Sequence, residues 1–173
     1  MVTLVIEDGT GLETANSYVS EADFRAYFAD REIDVTDYES GTVTAALVEA
    51  TSYIDLRWGL KVRGKPLVNA QALQLPRYAL YNQYGVLVEG VPAPWSQATT
   101  LYAYHYLQGT LYLTPPTGDA ANLKKKKTIV GPVTTEKEWR DTPVSSLTWN
   151  SFPVADNLAA QYTKSAVSTG VMR

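Results

Sequence analysis

Three stretches of this chain set apolar side chains at helical spacing, and they fix the expected architecture. In NSYVSEADFRAYFADREI, Phe24, Tyr27 and Phe28 recur at i, i+3 and i+4, which is one face of an amphipathic helix. Ser20 followed by Asp23 resembles a capping box with Asp in place of Glu, and Glu21 and Asp23 sit at the positive end of that helix dipole. A second helix is predicted across TVTAALVEATSYIDLRW, with Leu47, Thr51, Ile54 and Trp58 on one stripe and Gly59 placed to end it. A short third begins at Pro153 and runs through VADNLAAQYTK, with Val154, Leu158 and Tyr162 in line. Between them, PAPWSQATTLYAYHYLQGTLYL carries two periods. Ala98, Leu101, Tyr102, His105 and Tyr112 lie near one helical face behind a Ser96 cap, whereas Tyr102, Tyr104 and Tyr106 alternate as a strand would; the length of the run favours a helix.

The remaining segments lack a helical period. VTLVIEDGTGL is a β-branched run broken by Asp8-Gly9 and Gly11, an extended arm ending in a turn. Its DGTG does not have the spacing of a phosphate loop. Gly64, Pro66, Pro76 and Gly85 interrupt the stretch from 59 to 85, leaving turns and a helical piece around Asn69–Leu75 that Pro76 stops. From Thr114 to Asn150 the pattern is extended: TPPTGD is a loop, and TIVGPVTTEKEW alternates β-branched residues about Gly131-Pro132 as a hairpin would. The expected fold is therefore mainly α, a small bundle of about four helices with a long extended or β-hairpin flap before the C-terminal helix. All of it is expected to form one domain: a helical core with an N-terminal arm over 1–113, the flap over 114–150, and the C-terminal helix and tail over 151–173.

Composition removes several kinds of chemistry. The 173 residues include no cysteine and one histidine, so disulfides are excluded and a zinc site is not expected. His105 belongs to no nucleophile motif, dinucleotide and P-loop fingerprints are missing, and no pair of carboxylates stands out for hydrolysis. Asp34, Asp37 and Glu39 lack calcium-loop spacing and read as a solvated loop. No enzyme activity, cofactor or metal is expected. No run approaches the length of a membrane span, and Glu7 and Asp8 come too early for a secretory leader. The net charge of −3 hides an asymmetry: residues 1–60 carry 12 acids and 3 arginines, whereas residues 61–140 carry 10 bases and 4 acids.

Several stretches together resemble one phage family. EDGTGLETANSYVS, EATSYIDLRW, QALQLPR, VPAPWSQATTLYAYHYL, IVGPVTTE and FPVADNLA follow in the order and spacing of proteins labelled DnaT-like single-stranded-DNA-binding, a group similar to the head-to-tail connectors of tailed bacteriophages. Leu75, where an aromatic is usual, and the tyrosine-rich third helix depart from that pattern. The resemblance implies a structural virion subunit at the neck, made in the host cytoplasm. It would assemble as a ring of twelve copies, bind the portal and a tail or stopper protein, extend the DNA channel, and touch packaged DNA without sequence preference. The alternative is a single-stranded-DNA-binding module, with Tyr102, Tyr104, Tyr106 and Tyr112 available for stacking.

The four consecutive lysines Lys124, Lys125, Lys126 and Lys127 are the candidate contact residues under either reading. They face DNA, face an acidic patch on an adjoining protein, or remain a solvated loop. Without them 11 bases stand against 18 acids, which speaks against a chain that is basic throughout.

Overall fold

The structure is a computed structural model that describes residues 3–82, 84–112, 125–130, 133–138 and 149–164, of which the two segments 125–130 and 133–138 are described as backbone. In chain order its elements are α1 (Glu21–Ala29), α2 (Ser40–Trp58), a 3-10 turn (Gly59–Lys61), β1 (Lys65–Pro66), β2 (Arg77–Tyr78), α3 (Ala93–Leu107), β3 (Lys125–Val130), β4 (Val133–Glu138) and α4 (Pro153–Ala160). The chain divides into two units, residues 1–111 with 151–173, and residues 112–150. The first is a helical bundle in which α2 packs on α3, α3 on α4, and α1 on both α2 and α3. The second holds β3 and β4 as an antiparallel pair, Lys125 opposite Glu138 and Val130 opposite Val133. The fold is mainly α, with a hairpin where the alternating pattern predicts one.

The predicted caps and stripes explain most of the bundle. Ser20 Oγ accepts the Asp23 backbone N–H at 3.0 Å and starts α1. Asp23, one methylene shorter than the usual Glu, accepts from the Ser20 hydroxyl at 2.5 Å. Phe24, Phe28, Leu47 and Ile54 are fully buried, and Tyr27, Trp58 and Leu101 pack partly buried against them. Full burial of each such side chain contributes about 1.5–3 kcal/mol.

The helix favoured for the third aromatic stretch forms, and three other expectations change. The stretch 93–107 is one helix, and the tyrosine alternation gives no strand; Tyr102 falls inside the core while Tyr104 and Tyr106 lie at its margin. Its cap is Pro92, four residues before Ser96, because Pro94 in the first turn needs no N–H partner. On α4 the buried residues are Phe152, Ala155, Ala159 and Tyr162, with Leu158 packed partly buried against the core; of the expected stripe only Val154 points outward, at 66% exposure. The two alanines let α4 approach closely, which a face centred on Val154 would not.

The helical piece at 69–75 does not form. Its backbone groups are taken by distant partners: Ala72 N–H donates to the Leu12 carbonyl, Gln74 N–H to Asp55, and Leu75 N–H to the Tyr18 hydroxyl. Gln71 adds bonds to Val68 N–H and to the carbonyls of Leu73 and Pro76. Gly59 ends α2, as the sequence implies, for a different reason. Its backbone is right-handed (φ −53°), and a Cβ there would lie 2.5 Å from Gln74 Cγ, so glycine is needed for close approach.

Candidate functional site

Between Asp55 and Glu89 the chain has no acidic residue and five basic ones, Arg57, Lys61, Arg63, Lys65 and Arg77. This gap is the sequence signal that the lysine run overshadows, and the structure turns it into a surface. β1 and β2 place Lys65 directly opposite Tyr78, so their side chains are neighbours on one face. Gly64 makes that pairing possible: it has φ +77°, and a Cβ would stand 2.4 Å from the Tyr78 carbonyl oxygen. Ala79 follows with a left-handed backbone (φ 54°), and Leu80 then turns fully inward while Tyr78 stays 69% exposed.

The chain next folds back on itself. Tyr81 bridges Leu87, and Val88 N–H donates to the Leu80 carbonyl at 2.8 Å. Asn82 Oδ1 accepts from both Tyr84 N–H and Val86 N–H at 2.9 Å, which pins a tight turn with Tyr84 on it at 81% exposure. Tyr78, Tyr81 and Tyr84 are thus three exposed aromatics on a lobe whose base is held rigidly. Beside Tyr78 and Tyr81 lies a cleft of about 380 Å³, whose lining includes Leu67, Pro76, Leu87 and Glu89. A cleft of that size is at the lower end of what small-molecule sites use.

The basic side chains divide by role. Arg77 is internal: its guanidinium donates to the carbonyls of Gln74, Gly59, Val62 and Gly64 and to Gln74 Oε1, holding the lobe together. Burial lowers its pKa. Arg63 donates to the Thr163 carbonyl at 3.0 Å. Lys61 lies 5.0 Å from the Trp58 ring, and Lys65 is exposed. Lys61 and Lys65 keep their ammonium groups at the surface, where an anion can reach them.

Beneath the lobe is a buried polar anchor that the sequence reading missed. The Tyr18 hydroxyl donates to Asp55 at 2.8 Å, and Asp55 Oδ2 also accepts from Gln74 N–H at 3.0 Å. Burial pushes the Asp55 carboxyl up to about 6, against the opposing pull of those hydrogen bonds. The folded protein therefore binds a proton there at pH values where the unfolded chain, with a pKa near 3.8, does not. The associated stability is fully present below about pH 4 and is lost as pH rises through about 6, a change of about 2–3 kcal/mol. We expect urea midpoints between about pH 4.5 and 7.5 to fall with rising pH in the wild type and to run flat in Asp55→Asn. An equal slope in both proteins would show that another group carries it.

The residues singled out from sequence are placed as follows. Lys124 lies outside the described residues, and Lys125, Lys126 and Lys127 stand in β3 opposite Glu138, Lys137 and Glu136. Tyr102 is fully buried and bonds Asp156 and Trp58, and Tyr104 packs on Phe28 at 4.7 Å. With Tyr106 also packed against the core, these three do not form a stacking platform. Tyr112 belongs to the other unit. His105 stacks on Phe152 at 4.2 Å, and burial lowers its pKa. The DGTG loop closes around its own carboxylate: Glu7 accepts from Gly9, Gly11 and Leu12 N–H at 2.8–2.9 Å, filling the position a phosphate would take. Asp34 is engaged by Thr36. No helix of the described residues is long and apolar enough to cross a membrane.

The model of one family, described as "Putative DnaT-like ssDNA binding protein", matches residues 2–173. The chain belongs to this family. Membership in the DnaT-like family corrects the connector expectation, with its ring that bridges portal and tail: the family's description names single-stranded DNA and nothing points to a head-to-tail connector. No curated protein matches the chain. No solved structure matches it either.

Proposed function

We propose that this DnaT-like protein binds single-stranded DNA, without a catalytic step, through the lobe formed by residues 59–90. The observation that carries the reading is the acid-free gap from Asp55 to Glu89, a folded segment that exposes Tyr78, Tyr81 and Tyr84, sets Lys65 opposite Tyr78 and also exposes Lys61. Single-strand binders combine cations that follow the phosphates with aromatics on which bases stack, and this lobe has both within one folded segment. The family description agrees with it. An acidic N-terminal third does not oppose the reading, because local charge at the lobe, more than net charge, attracts the strand.

Lys124 to Lys127, in the other unit, enter this reading as separate candidate phosphate contacts. Fluorescence anisotropy with a labelled thymidine oligonucleotide of about twelve residues, at low and at physiological salt, tests both parts. The wild type is expected to bind, with log K falling against log salt by about 0.7 for each phosphate neutralised. Replacing the four lysines by Ser is expected to make that slope shallower by about 0.7 per lysine that reaches a phosphate. An unchanged slope would remove the lysines from the path of the strand. No binding at low salt would end the proposal.

A further inference from the structure

Glu89 is the first acid after the gap, and it lines the cleft between the exposed tyrosines. A carboxylate beside a surface meant for a polyanion repels phosphates, so its place there calls for a different ligand group. Among the described residues it has no hydrogen-bond or ion-pair partner, and it is exposed, so both oxygens are open to donors.

The lining of the cleft suits a flat group. Tyr78, Tyr81, Leu67 and Leu87 supply apolar and aromatic wall, and the volume is about 380 Å³. Its far side is closed by Gly9 and Gly90, whose backbones approach so closely that a Cβ on Gly9 would lie 3.2 Å from Gly90 Cα. That approach depends on the loop organised by Glu7, so the N-terminal arm forms part of the wall.

We infer that the cleft takes one unstacked base of the bound strand and that Glu89 makes it selective for guanine. The inference rests on the single-strand-binding reading above. A carboxylate offers two acceptors and no donor. Guanine presents two adjacent donors, N1–H and the N2 amino group, which a carboxylate accepts together. Adenine and cytosine each place a ring-nitrogen acceptor beside their one amino donor, and thymine has a single N3–H between two carbonyls. Only guanine matches both oxygens of Glu89 without setting an acceptor against an acceptor.

The test uses the full chain and anisotropy titration at low salt with a thymidine oligonucleotide and with the same oligonucleotide carrying one central dG, dA or dC. The dG strand is expected to bind about fivefold or more tighter than the other three. Glu89→Gln and Glu89→Ala are expected to level the four affinities, the dG strand losing its advantage of about fivefold or more over the other three. Thermal melts of both variants confirm folding at this exposed position. Equal affinities in the wild type, or a dG preference that survives both substitutions, would overturn the guanine assignment while leaving single-strand binding in place. Failure of every strand to bind would overturn the binding reading itself.

Discussion

Replacing Asp156 by Ala is expected to lower the unfolding free energy by about 3–5 kcal/mol, among the largest effects available in this protein. Asp156 lies on α4 and takes the Arg57 guanidinium from α2 at 2.7 Å, the Tyr102 hydroxyl from α3 at 2.6 Å and the Phe152 backbone N–H at 3.0 Å. Tyr102 in turn accepts from Trp58 Nε1 at 3.0 Å. Burial, and next the Asp156 carboxylate, raise the Tyr102 pKa far above the ordinary value, so the hydroxyl remains a donor throughout the accessible pH range. Both members of the Arg57–Asp156 pair are largely shielded, at 11% and 16% side-chain exposure. Truncation would leave a guanidinium, a hydroxyl and an N–H without this partner, and the uncompensated charge dominates the cost. An eight-residue helix has little stability of its own, so α4 depends on this junction and on the Phe152 and Tyr162 contacts.

Urea denaturation separates the outcomes. A lower midpoint at constant slope means the whole bundle is destabilised, and a smaller slope means α4 has already detached in the native state. Asp156→Asn keeps an acceptor for Tyr102 or Phe152 but also removes the carboxylate that faces Arg57, so it should recover only about 1 kcal/mol of that loss. A loss below about 1 kcal/mol in Asp156→Ala would show that the junction is solvated.

The same junction shows what could be read from sequence and what could not. Helix α1 and its cap were legible because Ser20, Asp23, Phe24 and Phe28 act within a few residues of one another. Leu47 and Ile54 were legible for the same reason, through a period set by a single helix. Asp156, Arg57 and Tyr102 are separated by up to 99 positions, and no local pattern pairs them. Asp55 with Tyr18 and Gln74 is a second case. Its partners decide that 69–75 is not helical, although the composition there suits a helix. The candidate site was half legible. The acid-free gap between Asp55 and Glu89 is countable in the sequence, but four adjacent lysines and alternating tyrosines are the stronger local signals. Tyr102 and Tyr78 are the same residue type, and only packing makes one core and the other surface.

That contrast gives the second large effect. The double substitution Tyr78→Ala, Tyr84→Ala is expected to weaken single-strand binding by about thirtyfold or more, since each of two stacked bases contributes about 1–3 kcal/mol. Stability should change by no more than about 0.5 kcal/mol, because the side chains are 69% and 81% exposed. Tyr102→Phe is the mirror experiment. It removes a hydroxyl bonded to Asp156 and Trp58 within the core, so it should reduce stability by about 1–2 kcal/mol and leave affinity for the oligonucleotide unchanged. Tyr78→Trp, which keeps a stacking face, should retain binding when paired with wild-type Tyr84. Loss of binding in Tyr102→Phe at temperatures where it is fully folded, or full binding in the double alanine variant, would move the strand off this lobe. The lobe reading therefore depends on aromatic faces in water and not on the abundance of tyrosine in the chain: affinity should track the exposed rings, and stability the buried hydroxyl.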